Sequence, residues 1–143
     1  MIDLPLRWGD MDSLGHVNNV QFARLFEEAR VRAMNHWFGG AARPDGFAML
    51  VARQEIEFVA PLHYSTDPAH CEVWCSRIGG KSTDFGCRLT SPDGHLVALC
   101  ETTLTVIDTA TGRPVELTQQ LRDLLAEQFG EPVPFRARRA AGA

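Results

Sequence analysis

The clearest pattern in the chain runs from Val20 to Phe38, where Phe22, Leu25, Phe26, Ala29, Ala33 and Trp37 recur at steps of three and four. That spacing draws one apolar stripe along an α-helix. Glu27, Glu28, Arg30 and Arg32 are expected largely off the stripe, on a solvated face. Asn18 or Asn19 is placed to cap the first turn, and Gly39-Gly40 supplies the stop. A helix this apolar on one side does not stand alone, so it predicts a sheet or second helix to cover it.

Much of the remaining chain alternates with a period of two. Ile2, Leu4, Leu6 and Trp8 alternate with Asp3, Pro5 and Arg7, predicting a strand over 2–8 that the proline places near a sheet edge. Beyond a Gly/Pro-containing loop, Met49 to Val59 reads as a strand. Val51, Arg53, Glu55 and Glu57 are expected on one side of it, with Ala52, Gln54, Ile56 and Phe58 on the other. Cys71–Ile78, Thr83–Thr90 and Leu96–Asp108 follow, with Gly79-Gly80 and Pro92-Asp93-Gly94 as turn signals. Thr118 to Phe129 predicts a short helix capped by Thr118, with Leu121, Leu124, Leu125 and Gln128 near one face. The order is strand, long helix, a meander of four strands and a small helix. That describes a two-layer α+β domain with an antiparallel sheet over about 1–130, ahead of a basic tail at 131–143. One layer of helix leaves a sheet edge and apolar surface open, so a homodimer is expected.

Composition changes this picture in three places. The 143 residues, 45% of them hydrophobic, suffice for one domain with a real core. The net charge of −4 argues against nucleic acid as the main partner. No apolar run approaches the ~20 residues that span a bilayer. The opening Met1-Ile2-Asp3-Leu4-Pro5 lacks a signal segment's character, so no membrane association and a cytoplasmic location are expected. Cys71, Cys75, Cys87 and Cys100 sit in strand-like surroundings without the C-x-x-C or paired-histidine spacing of a metal site. They read as buried free thiols, and no metal is expected.

The chemistry gathers in Gly9-Asp10-Met11-Asp12-Ser13-Leu14-Gly15-His16-Val17-Asn18-Asn19, which leads straight into the long helix. Unpaired N–H groups of a helix's first turn, with the positive end of its dipole, can hold an oxyanion or polarise a carbonyl. A carboxylate beside such a site can act as base or nucleophile. The plain alternative is that Asp10, Asp12, Asn18 and Asn19 only cap the helix and fix a turn. His16 competes as a general base, although hydrogen bonding within the loop or orienting a substrate suits it better. Glu27 and Glu28 rank below Asp12 as solvated charges, and His63, His70 and His95 read as surface histidines.

Arg7-Trp8-Gly9-Asp10-Met11-Asp12, Leu14-Gly15-His16-Val17-Asn18-Asn19 and Phe26-Glu27-Glu28-Ala29-Arg30 resemble the opening of the hotdog-fold acyl-CoA thioesterases, in the 4-hydroxybenzoyl-CoA thioesterase-like branch. The resemblance continues through Glu57-Phe58-Val59-Ala60-Pro61-Leu62, Arg77-Ile78-Gly79-Gly80-Lys81-Ser82 and Thr111-Gly112-Arg113-Pro114. It implies a hotdog fold, one long helix wrapped by a five-stranded antiparallel sheet, in dimers often paired into tetramers with active sites at the dimer interface. It puts the catalytic carboxylate on Asp12 and the backbone donor to the thioester carbonyl on Asn19. Asp10 is implied as a partner that shapes the loop, with His16 and Asn18 orienting substrate. Nucleotide contacts fall around the Arg77, Lys81 and Ser82 hairpin, with Arg88 and the tail arginines Arg136, Arg138 and Arg139 as further cations for coenzyme A phosphates. The Gly-His-Val-Asn-Asn version is more similar to fatty-acyl or general acyl-CoA members than to the aromatic enzyme.

Asp12 would then attack to give a mixed anhydride or activate a water molecule, while the Asn19 N–H, with the Asn18 N–H as a second donor, steadies the forming oxyanion. No cofactor is needed. Two further readings stand beside acyl-CoA hydrolysis: a hydrolase acting on acyl carrier protein, docked by the basic tail, and a non-catalytic acyl-CoA-binding hotdog protein.

Overall fold

The computed structural model describes residues 1–39 and 46–136. Strand β1 (Ile2–Leu4) leads through a single 3-10 turn at Trp8–Asp10 into helix α1 (Asn19–Trp37). Strands β2 (Phe47–Phe58), β3 (Ala69–Ile78), β4 (Ser82–Thr90) and β5 (Leu96–Asp108) follow, and helix α2 (Gln119–Ala126) comes last. The first strand is therefore shorter than the alternation predicts, because the Arg7 carbonyl accepts the Asp10 N–H and turns the chain. Gly40, in the expected helix stop, and most of the loop after it lie outside the described residues.

All five strands form one antiparallel sheet in the order β1-β3-β4-β5-β2. This corrects the four-strand meander. Only β3, β4 and β5 follow one another through tight turns, whereas β2 pairs with β5 at the far edge. The long connection from Phe58 to Ala69 makes that jump possible. The predicted faces of β2 also change. A bulge between Val51 and Arg53 moves Val51 across from Leu104 and leaves Arg53 across from Thr103. Val51 thus shares the helix-facing side with Gln54, Ile56 and Phe58.

Helix α1 lies on that side. Phe22, Leu25, Phe26 and Ala29 pack with Leu4, Cys71, Cys87, Leu89, Ala98 and Cys100, all fully or nearly buried. Cys71 and Cys75 share the inner face as expected, and all four cysteines are free and buried. Burial pushes the Cys100 thiol up to about 12. The Cys71 hydrogen bond, followed by burial, drives Cys87 well above the usual thiol range. Further along the same face, Leu121 and Leu125 of α2 close over Cys75, Phe85, Leu104 and Val106. Thr118 caps α2 by accepting the Leu121 N–H at 3.2 Å.

Arg30 does not lie off the stripe. It is 4% exposed on the buried side of α1 and donates to the Thr102 hydroxyl at 3.4 Å. A side chain long enough to carry its charge between helix and sheet is not marked by an apolar pattern. On the outer face of the sheet, Val133 and Phe135 pack against Leu99 and Trp74. The Trp74 indole donates to the Glu131 carbonyl at 2.7 Å, so the chain from Glu131 to Arg136 is laid across the sheet; 137–143 lie outside the described residues. The alternation of Val133 and Phe135 with polar or proline neighbours was the available signal for this.

Candidate active site

The loop before α1 folds back on itself like a small hairpin. Asn18 donates its N–H to the Asp10 carbonyl at 2.9 Å, Met11 bridges Val17, and the Asp12 N–H reaches the His16 carbonyl at 2.7 Å. Gly15, at φ 77°, makes the turn that a side chain would strain. These bonds bring the Asp12 segment over the start of the helix.

Each polar residue in the loop has a separate task. Asp10 is 2% exposed and is gripped by two arginines, Arg7 at 2.7 Å and Arg24 at 2.6 Å. The Arg7 hydrogen bond holds its carboxyl below the usual range against the cost of burial, with Arg24 adding to the effect. Asp10 thus fastens the loop to β1's exit and to α1. Asp12 is exposed, and one of its oxygens accepts the N–H groups of Leu14 at 2.9 Å and His16 at 3.1 Å. That bracing fixes the carboxylate's orientation and leaves its second oxygen without a hydrogen bond among the described residues.

Asn18 is the cap. Its side-chain oxygen accepts the Val20 N–H at 3.0 Å and its carbonyl accepts the Gln21 N–H at 2.8 Å. The Asn18 N–H, committed to Asp10, is not available as a second donor to a substrate. Asn19, the first helical residue, is exposed, and its N–H donates to none of the described residues. Of the donors at this helix entry it is the one aimed outward, at the positive end of a nineteen-residue dipole.

His16 stacks edge-on against His63 with ring centroids 4.7 Å apart, and the two residues share an isolated antiparallel bridge. Spacing along the chain did not reveal His63 as a neighbour of this loop. His63 in turn lines a cleft of about 580 Å³ with Tyr64, Asp67, Asp93 and His95. His70 belongs to β3 instead of a turn, and its Nδ1 lies 2.7 Å from Asp3. Glu28 pairs with Arg24 and Arg32 on the outer side of α1, while Glu27 is exposed.

The Arg77 to Ser82 hairpin forms where expected, but Arg77 is engaged. Its guanidinium bonds both oxygens of Asp84, at 2.8 and 3.0 Å, and the Ser82 hydroxyl at 2.8 Å. Lys81 is exposed at the turn, as is Arg88 on β4.

Residues 6–125 match the family described as the thioesterase-like superfamily. The chain belongs to that superfamily. Its fold is the hotdog fold, and the activity of the class is thioester hydrolysis. A thioesterase from Thermus thermophilus, crystallised with coenzyme A and zinc, is similar at 27% identity over 92% of this chain and 94% of that one, with a TM-score of 0.75. The PA2801 protein of Pseudomonas aeruginosa is similar at 26% identity over 85% and 94%, also at 0.75. A thioesterase-superfamily protein from Jannaschia sp. CCS1, at 19% identity over 90% and 92% and a TM-score of 0.83, shares the fold. No curated protein matches the chain. No described helix of this thioesterase is long and apolar enough to cross a membrane.

Proposed function

We propose that this thioesterase hydrolyses an acyl-coenzyme A, with Asp12 as nucleophile or general base and the Asn19 N–H polarising the thioester carbonyl. The observation that carries the reading is the outward, unengaged Asn19 N–H at the head of α1, in a loop that also presents a braced carboxylate with one oxygen spare. A thiolate leaves readily, so the barrier rests on charge forming at the carbonyl oxygen, where a preorganised donor acts most strongly. Asp10 and Asn18 hold the loop, and His16 borders the site. Lys81 is the cation of the 77–82 hairpin free to meet a phosphate, because Arg77 is turned toward Asp84 and Ser82. The Thermus relative's coenzyme A complex supports this substrate class. The four free, buried cysteines suit a cytoplasmic setting.

A second copy completes the assembly in this reading. Strand β2 presents an unpaired edge with Leu50, Val51 and Phe58 each about half exposed. Pairing there yields a homodimer, with a dimer of dimers as the next level. A monomer by light scattering at micromolar concentration would remove this part.

The decisive assay is thiol release from short, long and aromatic acyl-CoAs by wild type and Asp12→Asn. Asparagine keeps the acceptor for the Leu14 and His16 N–H groups, so the loop stays closed. Turnover is expected to fall at least ~100-fold. Undiminished turnover in a folded variant would exclude Asp12. Hydrolysis confined to carrier-protein thioesters, or binding without turnover, would exclude the coenzyme A reading.

A further inference from the structure

Arg30 has no carboxylate partner among the described residues. Asp10 is matched with Arg7 and Arg24, Glu101 with Arg53, and Asp84 with Arg77. Arg30 makes one long hydrogen bond, 3.4 Å to Thr102, although it is 4% exposed. The thiols near it, Cys87 and Cys100, are held protonated, so they do not supply a negative charge at neutral pH. A buried guanidinium without a counter-charge costs folding energy that a well-packed methionine or leucine would not. Its remaining nitrogens are not sealed in, because no enclosed side-chain polar atom among the described residues lacks a partner. Thr102 lies on β5, paired with the edge strand β2. Gln54, exposed on that strand, accepts a hydrogen bond from the same Thr102 hydroxyl at 3.2 Å.

We propose that Arg30, with Gln54 and Thr102, forms a carboxylate-binding subsite between α1 and the β2 edge of the sheet, selecting acyl groups that end in a carboxylate. This rests on the thioesterase reading and names its substrate class. Arg30 and Asn19 lie on one helix, with Cα positions roughly 16 Å apart along its axis. Side chains on a helix lean toward its N-terminus, so the guanidinium sits nearer than that to the Asn19 N–H. A medium-length acyl chain held at Asn19 by its thioester carbonyl would bring its far end to Arg30. A planar fork of N–H donors suits a carboxylate there better than a point charge would. A second copy on the β2 edge would close over the acyl chain.

The test compares matched coenzyme A thioesters of roughly six to ten carbons, with a terminal carboxylate or a terminal methyl. Wild type, Arg30→Met and Arg30→Lys are assayed on both. Wild type is expected to favour the carboxylate series at least ~10-fold in kcat/KM, Arg30→Met to lose that preference, and Arg30→Lys to keep part of it. Equal use of the two series by wild type, or an equal fall on both in Arg30→Met, would overturn the subsite. Calorimetry with free pimelate reads the subsite without catalysis. Binding that vanishes in Arg30→Met supports it even if no thioester is cleaved, and absence of binding to wild type overturns it. Melting of the ligand-free protein gives a further readout. Arg30→Met is expected to melt higher than wild type, whereas a lower melting temperature with dissociation of the dimer would assign the arginine to the subunit contact instead.

Discussion

The Asp10 carbonyl accepts the Asn18 N–H at 2.9 Å, and that bond joins the loop carrying Asp12 to the first turn of α1. It also decides which donor is left over. With the Asn18 N–H taken inward and the Val20 N–H taken by the Asn18 side chain, the Asn19 N–H is the one presented outward.

Replacing Asn19 by proline tests that donor without disturbing much else. Asn19 is the first helical residue, where proline is well tolerated, and Asn18 already has φ −60° and ψ 139°, the extended conformation that a following proline requires. The substitution removes the N–H and leaves the cap. Circular dichroism is expected to show an intact helix, while kcat falls by about 10²–10³. A variant with normal kcat would show that the carbonyl is polarised elsewhere.

Acid should weaken the ion pairs of Asp10 and Asp84. Asp10 is held below its usual range chiefly by the Arg7 hydrogen bond. Burial pushes Asp84 upward, but hydrogen bonds from Arg77 and Thr103 outweigh it, and the net shift is downward. A carboxylate lowered in the folded state adds stability that is complete above its unfolded pKa of about 3.9 and disappears as pH falls through the lower folded value. Melting temperature is therefore expected to be insensitive to these two groups near neutrality and to drop below about pH 4. Asp10→Asn should cost about 2 kcal/mol at pH 7, less than a fully enclosed pair because both arginines reach solvent. Its deficit should narrow in acid, and a constant deficit down to pH 2 would contradict the linkage.

Gly86 lies opposite Trp74 across β3 and β4, and a Cβ there would stand 2.5 Å from the indole. The indole is also the donor that pins Glu131. Gly86→Ala is expected to cost about 1–3 kcal/mol by overpacking and to speed proteolysis between Gly130 and Arg136. Because Trp74 and Leu99 lie on the outer face, away from α1, kcat should change little. An unchanged cleavage rate would show that the segment is held without Trp74.

Periodicity by itself determined α1, the four long strands and α2, because a buried stripe or face must repeat with its element's own geometry. Local turn and cap chemistry likewise marked the Gly9–Asn19 loop, whose Asp12 carboxylate and Asn18 cap are set by neighbours a few residues away. What only the tertiary structure decided depends on partners distant along the chain. Strand β2 went to the far edge, and its bulge rotated Val51 onto the inner face, because pairing with β5 sets both. Arg77 met Asp84 and His63 met His16 across strands or loops, where sequence spacing carries no trace of the contact. Arg30 differs most. Its charge predicted solvent, but its place one turn beyond Phe26 on a crowded helix face put it under the sheet, since burial follows the angle around the helix and not the polarity of the side chain's tip.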